Sequence, residues 1–166
     1  MNGLRSSLRQ EIVEQFINER ITSEMCRAIQ RREMYEPRYE TEWGFRVKSR
    51  GEQAIANALR FYTITYQSTG ECKRINLLYE PLFRIPDEDR VVIPDFVIPE
   101  YGVIIEYAGL EERNYKVGLM LKMEAFIRLG IPLLVMRPGD LQDVKGSLKQ
   151  KLRFHLSLRQ FDTRPF

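Results

Sequence analysis

Two acids stand alone in apolar surroundings. Asp95 interrupts the run Val91-Val92-Ile93-Pro94-Asp95-Phe96-Val97-Ile98, and Glu106 interrupts Val103-Ile104-Ile105-Glu106-Tyr107. Burying an ionised carboxylate costs several kcal/mol unless a cation or hydrogen bonds compensate. Between the runs lies Pro99-Glu100-Tyr101-Gly102, of turn composition, and a hairpin centred between Glu100 and Tyr101 sets Asp95 directly opposite Glu106. Opposed residues on one face of an antiparallel pair have Cβ atoms about 4.5–5.5 Å apart, so the carboxylates would converge and repel unless something positive lay between them. A divalent ion is the economical answer. Few, carboxylate-rich oxygen ligands suit Mg²⁺ or Mn²⁺, which keep several waters and take phosphate oxygens. The chemistry implied is attack of an activated water on a phosphate ester. The competing reading pairs each acid with a Lys or Arg for structural reasons alone.

The elements that must position these acids are legible around them. Ser49-Arg50-Gly51-Glu52 opens a helix, with Ser49 as N-cap and Glu52 three residues on in the capping-box arrangement, and Ala54, Ile55, Ala58, Leu59 and Tyr62 as its apolar face. Three strand-length runs follow, Ile75 to Ile85, Val91 to Ile98 and Val103 to Tyr107, and turn-like segments between them predict two consecutive hairpins. A helix from about Glu111 to Leu129 ends at Gly130, suited to a left-handed cap, and Ile131 to Met136 reads as a buried fourth strand. After Pro138-Gly139, Asp140 can cap a basic helix through about Leu156. At the other end, the apolar spacing from Leu4 to about Arg32 predicts an amphipathic helix, and Tyr35 to Phe45 reads as a connection. The expected division is a helical extension over 1–48, a core over 49–140, and a basic C-terminal helix and tail over 141–166.

In this order of elements the chain resembles the PD-(D/E)xK nuclease superfamily, with its restriction-endonuclease-like fold. Pro94-Asp95 stands for the first half of the motif and Glu106 for the second acid. The helix, three strands, helix and strand from Ser49 to Met136 are similar to the family's αβββαβ core, an α/β (α+β) arrangement around a central mixed sheet. The resemblance implies a metal-dependent nuclease that hydrolyses phosphodiester bonds, with DNA the expected substrate and Mg²⁺ or Mn²⁺ the cofactor. It also implies that a Glu on the first core helix, here Glu52, binds or positions the metal. The chain departs from the pattern at Ala108, where Lys is usual. Some branches of the family look like Glu106-Tyr107-Ala108-Gly109, followed by a Tyr and a Lys on the next helix, here Tyr115 and Lys122. Lys122 shares a helical stripe with Tyr115, Gly118, Leu119, Phe126 and Leu129, so it points where a sheet-facing residue points. It either orients water and neutralises charge at phosphorus or snorkels to solvent. Glu80, in Leu78-Tyr79-Glu80-Pro81, is a further acid that either joins the cluster or lies at the surface.

Composition sets the outer bounds. At 43% apolar and 30% charged residues the chain is neither disordered nor membrane-spanning in character. Its longest uncharged apolar stretch, Ile131 to Met136, is far short of the roughly 20 residues a spanning helix needs. With no apolar run of signal type near Met1, a cytoplasmic location is expected. Cys26, Cys72 and His155 share no metal-ligand spacing, which argues against zinc or Cys-His chemistry.

Net charge is +3, but the region from Lys145 onward holds six basic residues against Asp162 alone. Lys145, Lys149 and Arg153 there, with Arg50, are the expected contacts to a nucleic-acid backbone. The solvated face of an ordinary helix is the alternative. Aromatics and arginines interleave from Arg27 to Arg50, with Tyr35, Tyr39, Trp43 and Phe45 among them, which suits phosphates and unpaired bases. The eight glutamates from Glu11 to Glu42 favour helix packing or a homodimer interface instead. Two other function classes compete with the enzyme: a nucleic-acid-binding module that keeps the nuclease fold without its chemistry, and a scaffold whose N-terminal helices bind another protein.

Overall fold

The computed structural model describes residues 36–66, 69–85, 90–109 and 113–157, with the backbone alone for 113–116 and 155–157. The Leu4 to Arg32 helix and Tyr35 lie outside the described residues, as does the tail beyond 157. The described chain is mixed α and β, with several small sheets and three helices.

The central element is a four-stranded mixed sheet. Strands β8 (Phe96–Ile98) and β9 (Val103–Tyr107) form the expected hairpin, with Phe96 opposite Ile105, Val97 opposite Ile104 and Ile98 opposite Val103. Gly102 takes a φ of 57° at the turn and its N–H bonds the Pro99 carbonyl at 3.0 Å, which holds this register. β10 (Leu133–Met136) adds parallel to β9, and β5 (Leu78–Tyr79) adds antiparallel to β8. A parallel neighbour requires a crossover, supplied by helix α2 (Arg113–Arg128), after which Gly130 turns the chain at a φ of 66°.

The faces of this sheet alternate with the pleat. Phe96, Ile98, Val103 and Ile105 pack with Ile55 and Leu59 of helix α1 (Arg50–Leu59) and with Leu148 and Leu152 of helix α3 (Val144–Ser157). Val97 and Ile104 pack on the other face, with Ala125 and Phe126 of α2. One apolar cluster thus takes members from all three expected segments, since Val47, Ile105 and Leu152 belong to it together.

Several expectations are corrected. The Ile75 to Ile85 run is not one strand. Its chain bends at Glu80, which has a φ of 45°, and Pro81; β5 stays in the central sheet, while β6 (Phe83–Arg84) pairs with β7 (Val91–Val92) in a separate ladder. The Val91 to Ile98 run likewise breaks at Ile93-Pro94, because proline cannot donate to a ladder. The Tyr35 to Phe45 connection includes a strand, β1 (Tyr39–Glu40), that pairs antiparallel with β2 (Arg46–Val47) just beyond it, turned at Gly44 with a φ of 85°. A further hairpin, β3 (Thr63–Thr65) with β4 (Cys72–Arg74), follows α1.

Asp140 does not cap α3. It lies in a 3₁₀ segment, Pro138–Asp143, where its Oδ2 accepts from Arg137 N at 2.8 Å and Lys151 Nζ at 2.9 Å. Asp143 does the capping instead, accepting from Gly146 N at 3.0 Å.

Candidate active site

The β8 and β9 register carries Asp95 and Glu106 to the same end of the hairpin and onto the α2 face of the sheet, the side of Val97 and Ile104. Asp95 stands immediately before β8, where Oδ2 accepts the Tyr107 N–H at 2.7 Å. Glu106 is nearly sealed from solvent, and Lys122, from the sheet-facing side of α2, donates to both its oxygens at 3.0 Å. Lys122 therefore does not snorkel outward; its ammonium is spent on the acid.

The electrostatics follow from this crowding. Burial raises the Asp95 carboxyl well above the usual carboxylate range, and the Glu106 charge raises it further, against the pull of Lys122 and the Tyr107 N–H. Burial also raises Glu106, and the Lys122 ammonium only partly offsets it. Burial alone would lower Lys122, but the charges of Glu106 and Asp95 outweigh it and hold the ammonium on. Two acids thus share one cation in a poorly solvated place.

Glu52 approaches from α1. Ser49 Oγ caps its backbone N–H at 3.1 Å as expected, but the return half of the capping box is displaced by one residue. Glu52 Oε2 accepts from Lys48 N at 3.0 Å and from the Tyr79 hydroxyl at 2.7 Å. Its charge still reaches both acids and raises them. Among the described residues no three Asp, Glu, His or Cys side chains form a ligand cluster. The pair of Asp95 and Glu106 nevertheless fits a magnesium-type ion, which completes its shell largely with water and phosphate oxygens.

Beside the pair opens a cleft of about 500 Å³, lined among others by Asp95, Lys122, Lys48, Glu80 and Arg90. Glu80, weighed from sequence as a cluster member or a surface acid, lies in this cleft. Lys48, Tyr79 and Arg90 were not legible as site residues. The hint for Tyr79 was an aromatic beside Glu80 in a strand; for Lys48, its place immediately before the Ser49 cap.

Two glycines shape the site's edge. A side chain at Gly51 or at Gly109 would overlap the Tyr107 ring, which lies against both. The Gly in Ser49-Arg50-Gly51-Glu52 thus lets α1 close onto the strand whose N–H holds Asp95.

The expected backbone-contacting residues do not converge on the cleft. Lys145, Lys149 and Arg153 are exposed on α3, which packs on the opposite sheet face from α2. Lys145 Nζ lies 5.0 Å from the Phe61 ring centre. Arg50 is exposed at the start of α1, 5.8 Å from the Tyr39 ring. The nearby aromatics serve packing: Trp43 Nε1 donates to Ala56 O at 2.7 Å, and Phe45 stacks on Tyr79 with centroids 5.7 Å apart. Cys72 is an exposed free thiol. Cys26 and the side chains of Tyr115 and His155 fall outside the described residues.

Comparisons with protein-family models, with curated proteins and with solved structures give no match for this chain. Among the described residues no helix is long and apolar enough to cross a membrane.

Proposed function

We propose that the protein is a metal-dependent nuclease that hydrolyses phosphodiester bonds in DNA, built on a restriction-endonuclease-like core. One observation carries the proposal: two carboxylates on a single face of one hairpin, beside a cleft large enough for a phosphate, with only one ammonium between them. The order of α1, the antiparallel β5, β8 and β9, then α2 and the parallel β10 supports the choice of core.

In this reading Asp95 and Glu106 hold the ion. A bound divalent ion supplies Lewis-acid activation of a water and offsets charge on the phosphate. Lys122 fixes the Glu106 carboxylate and places an ammonium at the cleft, where it stabilises charge growing on phosphate oxygens. The Tyr107 N–H fixes Asp95, and Tyr79 with the Lys48 N–H fixes Glu52 as a positioning group or third ligand. Gly51 admits Tyr107 and so keeps these two supports together.

A second reading is favoured by one specific feature. Lys122 bonds both oxygens of Glu106, which compensates that acid without any metal and suits a nucleic-acid-binding module that has lost its chemistry. The deciding experiment incubates wild type and Asp95→Ala with linear, circular and branched DNA in Mg²⁺, Mn²⁺ and EDTA. The nuclease reading expects metal-dependent cleavage that Asp95→Ala loses. DNA binding without cleavage in either metal, unchanged in Asp95→Ala, selects the binding module.

A further inference from the structure

The cleft contains a second ammonium-carboxylate pair that the proposed chemistry does not use. Lys48 Nζ lies 2.7 and 2.8 Å from the two oxygens of Glu80, and the side chains are only 18% and 13% exposed. Both residues line the cleft together with Asp95 and Lys122. The pair is also tied to the site through the main chain. The Lys48 N–H reaches Glu52 Oε2 and the Tyr79 hydroxyl, each at 3.0 Å, and the Glu80 N–H bonds the Asp95 carbonyl at 2.9 Å.

Glu80 adopts this place at a conformational cost. Its φ of 45° lies in the left-handed region, which glycine or asparagine enters far more easily than glutamate. A glutamate held there suggests that its carboxylate has a task in the cleft. Glu80 thus sets its carboxylate against the Lys48 ammonium in a cleft that Lys122 also lines, the setting that a phosphodiester would also seek.

Resting on the nuclease reading, we propose that Lys48 contacts a backbone phosphate of bound DNA and that Glu80 is its internal counter-ion, displaced when that phosphate enters. Without substrate, Glu80 keeps the Lys48 ammonium in the cleft and compensated. An arriving phosphate offers the same charge to Lys48 and repels the carboxylate, so Glu80 positions Lys48 while weakening substrate affinity.

The test is binding of a fluorescein-labelled DNA duplex, read by anisotropy in EDTA across a chloride series, for wild type, Lys48→Gln, Lys48→Arg and Glu80→Gln. Lys48→Gln is expected to bind about tenfold more weakly at low salt, with a log-log salt slope shallower by about one, the signature of one lost phosphate contact. Lys48→Arg keeps both values near wild type. Glu80→Gln binds severalfold more tightly, because the competing anion is gone. Wild-type affinity and slope in Lys48→Gln would overturn the proposal. So would weakened binding in Glu80→Gln, which marks a pair that only holds the fold together. If Lys48→Gln does not fold by circular dichroism, the direction of the Glu80→Gln change decides. Cleavage by wild type in Mg²⁺ with no binding change in Lys48→Gln sinks this inference alone. Binding that shifts as described, with no cleavage in any metal, sinks the nuclease reading alone.

Discussion

Lys122 meets Glu106 in the cleft, and Lys151 meets Asp140 beside the C-terminal helix, at 3.0 and 2.9 Å. The chemical groups are the same, yet the two acids shift in opposite directions. At Asp140 burial pulls the carboxyl upward, but the hydrogen bonds from Lys151 and the Arg137 N–H prevail, and it titrates below its ordinary range. Glu106 receives its lysine on both oxygens and still titrates above its range. Two differences account for this. The Glu106 side chain is 2% exposed against 22% for Asp140, and Glu106 has a second acid, Asp95, opposite it. One ammonium satisfies one partly solvated carboxylate; it does not satisfy a buried one with a second, half-buried acid opposite it. The unmet demand for positive charge in the cleft is what a divalent ion would answer.

The contrast can be tested at both sites. The largest effect is on chemistry: Asp95→Ala or Glu106→Ala should lower Mg²⁺-dependent DNA cleavage by about a thousandfold or more, the several kcal/mol expected of a metal centre, whereas Asp140→Asn should leave the rate near wild type. Stability comes next. Lys122→Met strands the buried Glu106 beside a second acid and should cost about 3–5 kcal/mol in urea unfolding at pH 8, while Lys151→Met, at a partly solvated pair, should cost about 1 kcal/mol or less. Gly51→Ala drives a methyl into the Tyr107 ring, and should cost about 1–3 kcal/mol and slow cleavage through the displaced Tyr107 N–H.

The two sites should also respond to pH with opposite slopes. Asp95 and Glu106 are raised in the folded protein, so their contribution is fully present below the unfolded carboxylate range and is lost as pH rises through their raised folded values. Metal-free wild type should therefore lose stability relative to Asp95→Asn as pH rises above the ordinary carboxylate range of about 4. Asp140 is lowered, so its contribution is present above the unfolded value and lost as pH falls. Wild type should exceed Asp140→Asn in stability at neutral pH and converge with it in acid. Unfolding curves of the three proteins from acid to mildly alkaline pH check both signs, and parallel slopes would remove the distinction.

The sequence carried the centre of the fold better than its borders. The Asp95 and Glu106 pairing was readable because a turn ending in Gly102 leaves few ways to close the hairpin, and a one-residue slip would have put the two acids on opposite faces of the sheet, one of them against the apolar cluster under α1 and α3. Gly130 and the Ser49 cap were legible for the same local reasons. Breaks at Glu80-Pro81 and Ile93-Pro94 were hidden inside apolar runs, where burial on both faces erases periodicity. β1 and β2 were masked by aromatics that mix core packing with surface positions, as Trp43 and Phe45 do. The Lys48, Tyr79 and Glu80 network joins residues about thirty positions apart through single side-chain contacts, and spacing along the chain carries no record of those.

The central claim is that Asp95 and Glu106 together demand a divalent cation, and its most direct test is a Mn²⁺ titration of metal-free protein at pH 8 followed by electron paramagnetic resonance of the free ion. Wild type and Asp140→Asn should each take up Mn²⁺ at a site that Asp95→Ala and Glu106→Ala lack. Equal uptake by wild type and both alanine variants, or none by wild type, would contradict the account.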